Sequence, residues 1–197
     1  MKIKRFILLA FSGCCLALSG AACSGLEGDN SDFDFGDMTS DAPDNPYDGH
    51  SKILILGSFP SVKSREGHFF YHHPQNRFWR VMAALTGETL PVTIEEKRNL
   101  LLRHHIALWD VIHSCDIIAS SDSSIKNVLP NDLHPILNTA KIEGIYVNGG
   151  TAGRLYRKYI EPNLGRSCTV LPSTSPANAA YSLEKLTALW RAALPSP

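Results

Sequence analysis

The segment from Phe69 to Trp79 carries a dense group of side chains that could handle a nucleobase. It places aromatic rings, carboxamides, imidazoles and a guanidinium close together, as Phe69, Phe70, Tyr71, His72, His73, Gln75, Asn76, Arg77, Phe78 and Trp79. Aromatic rings stack on unstacked bases, amides hydrogen-bond to base edges, and arginines pair with phosphates. On composition alone, a loop followed by an aromatic-anchored helix start is an equally good interpretation.

An apolar strand precedes this segment and would position it. Ile53–Leu56 is short and partly β-branched, and Gly57, Ser58, Phe59 and Pro60 follow it directly. Such a run is typical of a strand that is buried on both faces of a parallel sheet. Because ligands in open α/β sheets bind beyond the carboxyl ends of the strands, we expect these four residues to line a pocket.

The rest of the chain alternates helices with strands. Further strands are predicted at 106–112, 143–148 and 169–171, and a polar loop at 114–127. Helices are predicted at 76–87, 93–104, 131–140, 151–159 and 182–193. This alternation implies right-handed crossovers and a mostly parallel sheet between layers of helices.

The charge of the chain is unevenly distributed. Residues 1–50 contain eight acidic and three basic residues, whereas residues 51–197 contain 16 basic and 11 acidic residues. A mildly basic domain is compatible with a polyanionic partner, although it is weak evidence for one. The domain holds two of the five cysteines, Cys115 and Cys168, without a CxxC pair or a Cys/His cluster. A structural zinc or iron–sulfur site is therefore not expected.

The amino-terminal region resembles an export leader. Residues 1–23 combine a basic start, an apolar run and small residues before Cys23, as in bacterial lipoprotein signals. Residues 24–50 have the acidic, Gly/Asp/Ser/Pro-rich composition of a disordered tether, which leaves 51–197 as the folded domain. The alternative is a mis-assigned start, with translation beginning at Met38. Membrane attachment is expected only if the leader is real and Cys23 is lipidated.

Short motifs in a fixed order carry a family resemblance. They are GSFP, HHPQNRFW, LWDVI followed by DSSI, PNDL, YVNGG and STSPAN, and most of them lie at predicted strand ends. Together, over residues 52–194, they resemble the hypoxanthine-DNA glycosylase branch of the uracil-DNA glycosylase superfamily. The resemblance implies a three-layer α/β/α sandwich with a four-stranded parallel sheet. It also implies a monofunctional glycosylase that flips a deaminated base out of DNA and hydrolyses its N-glycosidic bond without a metal or other cofactor.

The resemblance implies that Asn76 supplies the catalytic amide. Better-known branches place an Asp or Asn shortly after the first-strand glycine, where this chain has Ser58-Phe59-Pro60-Ser61, and often a His where it has Ser173. The hypoxanthine branch instead uses an Asn that opens the first helix, which Asn76 matches. A neutral amide cannot take a proton at neutral pH, so Asn76 would orient water or hydrogen-bond the leaving base. A helix N-cap is the structural alternative.

Further residues are expected to complete the pocket and to contact DNA. The base pocket would comprise Gly57, Ser58, Phe59, Pro60, Tyr71, Asn148 and Ser173, with Phe59 or Tyr71 stacking on the base. Core packing is the alternative for Phe59. The loop after the fourth strand would contact DNA through Ser175, Pro176, Ala177 and Asn178, with Asn178 or Tyr181 filling the gap left by the flipped base. Phosphate contacts are expected from Lys63, Arg65, Arg77 and Arg80, although each of them alone is more typical of a solvated side chain. No role is assigned to Asp122, His72 or His73.

The expected activity is release of hypoxanthine, and also of uracil, in base excision repair. We expect a monomer that acts on DNA in the cytoplasm or nucleoid. Two alternatives stay open: a non-catalytic nucleic-acid-binding module on the same fold, and an exported lipoprotein that only the leader favours. The chain contains no GxSxG elbow or HExxH motif that would support an exported hydrolase.

Overall fold

The computed structural model of the chain describes residues 46–118 and 121–195. The predicted leader, Met38 and the tether up to residue 45 lie outside these residues. In the described part of the chain, no helix is both long and apolar enough to cross a membrane.

The described residues form six strands, seven α-helices and a short 3-10 helix. In chain order they are β1 (Ile53–Gly57), α1 (Val62–Glu66), α2 (Phe78–Thr86), α3 (Ile94–Arg103), β2 (Ile106–Asp110), β3 (Ile112–Asp116), the 3-10 helix (Asp122–Ser124), β4 (Lys126–Pro130), α4 (His134–Thr139), β5 (Gly144–Asn148), α5 (Gly150–Tyr159), α6 (Glu161–Leu164), β6 (Thr169–Leu171) and α7 (Leu183–Ala193).

Four parallel strands build the central sheet in the order β2-β1-β5-β6, which confirms the predicted sheet. All three strand pairs are parallel. The register pairs Gly57 with Asp110 on β2, and Leu56 with Val147 on β5, one residue before Asn148. The carboxyl ends of the three strands therefore meet at one edge of the sheet, as ligand sites in open α/β sheets require.

Alternation along β1 divides the apolar core into two layers. Leu54 and Leu56 belong to a cluster that includes Tyr156 of α5, whereas Ile53 and Ile55 belong to a second cluster that includes Trp190 of α7. The second cluster also receives the apolar faces of α2 and α3. Because successive side chains of a strand point to opposite faces, helices cover both sides of the sheet and form a three-layer α/β/α sandwich.

Local capping signals account for the ends of the main helices. Gly87 ends α2 in a left-handed conformation with φ of +73°, at the end of the predicted helix 76–87. Thr93 begins α3 through a capping box, since its side chain accepts from the Glu96 backbone N–H while the Glu96 carboxylate accepts from the Thr93 backbone N–H. Helix α2 begins at Phe78, two residues later than predicted.

The prediction for residues 106–127 was wrong in two respects. The predicted strand 106–112 is interrupted at Val111, and β3 leaves the central sheet to pair antiparallel with β4. The predicted polar loop contains most of β3 and the 3-10 helix. Asn131 stabilises the break between β2 and β3, since its side-chain amide donates to the carbonyls of Asp110 and Ile112 at 2.9 and 3.1 Å. These contacts come from a distant part of the chain, so strand periodicity could not show them.

Candidate active site

A cavity of about 580 Å³ opens at the edge where β1, β2 and β5 end. Its volume lies in the range of sites that enclose a small organic molecule. All the predicted site residues except one contribute to its wall, namely Gly57, Ser58, Phe59, Pro60, Tyr71, Asn76, Asn148, Ser173, Ser175, Pro176 and Ala177. The exception is Asn178, whose side-chain amide turns back to the carbonyl of Ser173 at 2.8 Å.

One side of the cavity carries a hydrogen-bonded set that we call the amide network, in which Asn76 and Asn148 line the cavity and Thr174 joins them without lining it. The Thr174 hydroxyl donates to Asn76 Oδ1 at 2.9 Å and accepts from Asn148 Nδ2 at 2.9 Å. The Thr174 backbone N–H donates to Asn148 Oδ1 at 3.0 Å. Thr174 is fully buried. The network therefore links β5, the loop after β6 and the segment before α2 at the point where these three parts of the chain meet.

Asn76 also contacts the start of the first long helix. Its Oδ1 accepts from the backbone N–H of Phe78, the first residue of α2, at 3.0 Å. Arg77 occupies the N-cap position itself and makes no side-chain cap. Asn76 thus satisfies a free N–H of the helix start and lines the cavity at the same time, so the helix-capping interpretation and the site interpretation describe compatible contacts of this side chain.

A second part of the cavity is a buried set that we call the acid floor, formed by Gly57, Tyr71 and Asp110. Asp110 ends β2 beside Gly57, and a Cβ atom added to Gly57 would collide with its carboxyl group. The Tyr71 hydroxyl is buried and has no hydrogen-bond partner among the described residues. The Tyr71 ring stacks on Phe78 with centroids 4.0 Å apart, so one face is already covered.

Burial changes the titration of the acid floor. Burial, and secondarily the nearby Asp122 carboxylate, raises the pKa of Asp110 to about 7. Burial and the neighbouring Asp110 also raise the pKa of Tyr71, and the nearby Asn148 side chain opposes this rise. Both effects have the same physical cause, since a charged group loses the solvation that water would provide. Below neutral pH the Asp110 carboxyl is therefore protonated, and it can donate as well as accept a hydrogen bond.

Asp122 lies at the mouth of the cavity. Its Oδ1 accepts from the Ser58 hydroxyl at 3.3 Å, which connects the 3-10 helix to the turn after β1. Asp122 is exposed, unlike Asp110. The sequence motif DSSI therefore brings a second carboxyl group to the site, at its rim and not in its interior.

The structure assigns Arg77 a different contact from the one predicted. Its guanidinium donates to the carbonyls of Ser175 at 2.7 Å and Asn178 at 2.9 Å, and also to that of Tyr181. Its Nε atom donates to the carbonyl of Thr174 at 3.3 Å. The predicted phosphate contact of Arg77 is wrong in this structure, because its donors already hold the loop that follows β6.

Of the other predicted phosphate-contact residues, one is buried and two are exposed. Arg65 is buried, with its guanidinium 5.7 Å from the centre of the Phe59 ring, so it does not present itself to a phosphate. Phe59 is buried in the core as well as lining the cavity, so both of its predicted roles have structural support. Lys63 and Arg80 are exposed, where Lys63 pairs with Glu66 and Arg80 donates to the carbonyl of Pro74.

The two histidines of the HHPQN segment lie in different surroundings. His73 lines the cavity, and its Nδ1 accepts from the Gln75 backbone N–H at 3.2 Å. His72 is exposed, and its ring packs over Gly67. Cys115 and Cys168 are both free thiols. Within the two described ranges, no three His, Cys, Asp or Glu side chains come close enough together to bind a metal ion.

Sequence reasoning missed two residues of the site, Asp110 and Thr174. Asp110 could have been found, because an acid that ends an otherwise apolar strand, as in IALWD, is placed at the sheet edge where ligands bind. Thr174 had a weaker signal. It lies inside the STSPAN motif, but its burial and its two side-chain partners depend on contacts with residues 26 and 98 positions away in the chain.

Comparisons with known proteins agree with this geometry. A family model described as the uracil DNA glycosylase superfamily matches residues 45–194. A hypoxanthine DNA glycosylase of Methanosarcina acetivorans is 36% identical over 137 residues, which cover 68% of this chain and 85% of that protein. A hypoxanthine DNA glycosylase of Methanosarcina barkeri is 32% identical over 133 residues, which cover 66% of this chain and 83% of that protein.

A solved structure shows the same fold. It is the solution NMR structure of a candidate uracil DNA glycosylase from Methanosarcina acetivorans, with a TM-score of 0.63 and 33% sequence identity. The match covers 75% of this chain and 93% of that one.

Proposed function

Because this chain belongs to the uracil DNA glycosylase superfamily and is a DNA glycosylase, we propose that it releases hypoxanthine from DNA, and uracil as a second substrate. The choice of hypoxanthine rests on the two relatives that carry this activity in their names. A purely binding module and an exported lipoprotein are less favoured, because neither accounts for these relatives.

The observation that carries the proposal is that one cavity holds both a fixed carboxamide and a buried acid floor. Cleavage of an N-glycosidic bond develops positive charge on the sugar and negative charge on the departing base. Donors that are already oriented toward the base stabilise this charge without reorganising at the moment of reaction. Asn76, the proposed catalytic residue, lies on the wall of the cavity that a flipped base would enter.

The acid floor would recognise the edge of the base. The Tyr71 hydroxyl offers a donor, and a protonated Asp110 offers a donor and an acceptor. Hypoxanthine and uracil both present an N–H group next to a carbonyl oxygen, which can pair with such groups. The exposed face of Tyr71 or of Phe59 would stack on the base, and such stacking contributes roughly 1–3 kcal/mol.

The domain boundary and the location of the protein are part of the proposal. We assign the glycosylase domain to residues 51–197, which the family match over 45–194 supports. A DNA substrate places the proposed activity in the cytoplasm or nucleoid, and we propose that the protein acts there as a monomer. Labelling of cells with a tagged fatty acid would contradict the assignment if Cys23 became acylated.

The test is a base-release assay with the full chain on duplex oligonucleotides that contain one deoxyinosine, deoxyuridine or deoxyxanthosine. Heating in alkali then cuts the strand wherever a base has been removed. We expect cutting at deoxyinosine, and a loss of about 10²–10³-fold in the single-turnover rate for Asn76→Ala. Gln75→Ala is the matched control, because Gln75 is the exposed neighbour of Asn76 and does not line the cavity.

Two results would overturn the proposal. No release of any of the three bases, together with salt-sensitive DNA binding, would make the chain a binding module. Full activity of Asn76→Ala would show that Asn76 is not the catalytic residue.

A further inference from the structure

The polarity of the amide network is determined by two backbone N–H groups. A backbone N–H can only donate, so each side-chain atom that it contacts in Asn76 and Asn148 must be the amide oxygen. Phe78 N contacts Asn76 at 3.0 Å, and Thr174 N contacts Asn148 at 3.0 Å. The orientations of both side-chain amides are therefore dictated by the main chain.

This polarity also decides the direction of the Thr174 hydroxyl. Since the oxygen of Asn148 receives the Thr174 backbone N–H, its Nδ2 group is the part that faces the Thr174 hydroxyl at 2.9 Å and donates to it. The hydroxyl thus acts as an acceptor toward Asn148, and its own proton is directed to Asn76 Oδ1 at 2.9 Å. Full burial of Thr174 keeps water from replacing either contact.

The result is that Asn76 Oδ1 has both of its lone pairs engaged. It accepts from Phe78 N and from the Thr174 hydroxyl, and a carbonyl oxygen has two such sites. Its Nδ2 group makes no hydrogen bond within the described residues, and Asn76 is half-buried on the cavity wall. What Asn76 has left for a bound molecule is therefore a pair of N–H donors.

We propose that Thr174 is a positioning residue that locks the Asn76 amide with its N–H groups available to the cavity, so that Asn76 donates a hydrogen bond to the leaving base and does not accept one from water. The proposal rests on the glycosylase function proposed above, and it decides between the two roles that the sequence left open for Asn76. Asn148 holds Thr174 in turn.

The chemistry balances without proton transfer to or from Asn76. The C1′–N bond breaks and its electron pair leaves with the base, while a water oxygen forms the new bond to C1′. The proton that this water loses equals the one that the departing base finally takes up, and solvent carries both. Asn76 stabilises the negative charge on the base by hydrogen bonding while the bond breaks.

The first experiment compares Thr174→Val with Thr174→Ser in the full chain. Valine keeps the shape of threonine but removes the hydroxyl, whereas serine keeps the hydroxyl. We expect Thr174→Val to lower the single-turnover release of hypoxanthine by roughly tenfold or more, with DNA affinity changed less than about threefold. Thr174→Ser should restore the rate to within about threefold of the wild type. A purely structural role would lower the melting temperature of Thr174→Val without this loss of rate per folded molecule.

The second experiment uses Asn76→Asp to separate a donor from an acceptor. If Asn76 donates, Asn76→Asp is as slow as Asn76→Ala at pH 8, because a carboxylate has no proton to donate, and it gains rate as the pH falls. If Asn76 orients water, Asn76→Asp is faster than Asn76→Ala at pH 8, since a carboxylate is the stronger acceptor and a base.

Other titratable groups share this cavity, namely Lys63, Tyr71, His73, Asp110 and Asp122. The rate of Asn76→Asp is therefore divided by the wild-type rate at each pH, because both proteins contain all of these groups.

The outcomes distinguish this inference from the proposed function. If the wild-type chain releases no base, the proposed glycosylase function is wrong. A wild-type chain that is active, together with an Asn76→Asp variant faster than Asn76→Ala at pH 8 or an unimpaired Thr174→Val variant, overturns the donor assignment alone.

Discussion

The amide network and the acid floor are two walls of the same cavity with opposite hydrogen-bonding states. In the network, a buried hydroxyl, a backbone N–H and two amide oxygens all have partners at 2.9–3.0 Å. In the floor, the Tyr71 hydroxyl has no partner within the described residues, and the Asp110 carboxyl is buried at a cost that its raised pKa reports. Satisfied polar groups stabilise a fold and fix geometry, whereas unsatisfied ones destabilise the fold until a ligand pairs with them.

This difference indicates that the amide network positions the catalytic amide, whereas the acid floor binds the base. Substitution in the network should destabilise the protein, and substitution in the floor should stabilise it while weakening the recognition of the base. Such opposite signs within one cavity are the stability–function trade-off expected of a binding site.

Asp110→Asn should give the largest change in stability. The carboxyl is ionised above its pKa of about 7 in the folded protein, but already above about 3.8 in the unfolded chain. Between these values the folded state binds more protons, so stability falls as the pH rises, by up to about 4 kcal/mol. Asp110→Asn removes this cost, so its gain should be full at pH 8 and disappear toward pH 4. Urea unfolding at both pH values measures it.

The exposed Glu143→Gln is the control for this measurement, since it also removes a carboxylate. A gain for Asp110→Asn that was independent of pH would contradict the assignment of a costly buried carboxyl, and would point to altered packing instead.

Arg77→Met should give the next largest change, with the opposite sign. The methionine keeps apolar length but leaves the carbonyls of Thr174, Ser175, Asn178 and Tyr181 without their common donor. Hydrogen bonds to a charged group are strong, and we expect a loss of about 2–3 kcal/mol in the free energy of unfolding. Arg80→Met is the matched control three residues further along the chain, because the exposed Arg80 donates to a single carbonyl. Equal losses for both variants would show that the loop does not need this clamp.

Asn148→Ala tests the network directly. It removes the acceptor of the buried Thr174 N–H and the donor to the Thr174 hydroxyl. An unsatisfied buried N–H costs roughly 1–3 kcal/mol, so a loss in the lower half of that range is expected for this half-buried residue. Chemical denaturation measures the loss. An unchanged stability would mean that water replaces Asn148, and would weaken the contrast between the two walls.

Tyr71→Phe should give the smallest change, a gain of about 1 kcal/mol. It removes a buried hydroxyl that lacks a partner and keeps the ring that stacks on Phe78. Weaker binding of DNA that contains deoxyinosine should accompany the gain, as fluorescence anisotropy can measure. A loss of stability would show that the Tyr71 hydroxyl has a hydrogen-bond partner in solution. Tyr71 would then belong with the hydrogen-bonded groups of the amide network.

Much of the fold follows from local signals in the sequence. The apolar run of β1, the start of α3 after Thr93 and the end of α2 at Gly87 each depend on a few neighbouring residues, and each was predicted to within one residue. The short helices α1 and α6 were not predicted, because five and four residues show no usable periodicity. The β3–β4 pair was missed because its register is irregular and its exposed residues resemble a polar loop.

The candidate site was predictable wherever a residue directly follows a strand. Gly57, Ser58, Asn148 and Ser173 were placed at the cavity by that rule and by the motif order. Arg77 shows the limit of this reasoning, since a basic side chain beside a DNA-binding motif is as able to hold a loop carbonyl as a phosphate. Whether the Arg77 guanidinium binds a carbonyl or a phosphate depends on which groups the tertiary structure brings within hydrogen-bond distance.

By itself the sequence determined the four strands of the central sheet, the main helices, the edge of the sheet that carries the site and the family to which the chain belongs. Only the tertiary structure decided the direction of the hydrogen bonds around Asn76, the burial of Asp110 and the use of Arg77 as a clamp. The physical reason is range: propensities, caps and strand ends act over a few residues, whereas these polar contacts join groups up to 104 positions apart. Their partners and their separation from water exist only once the sheet has formed.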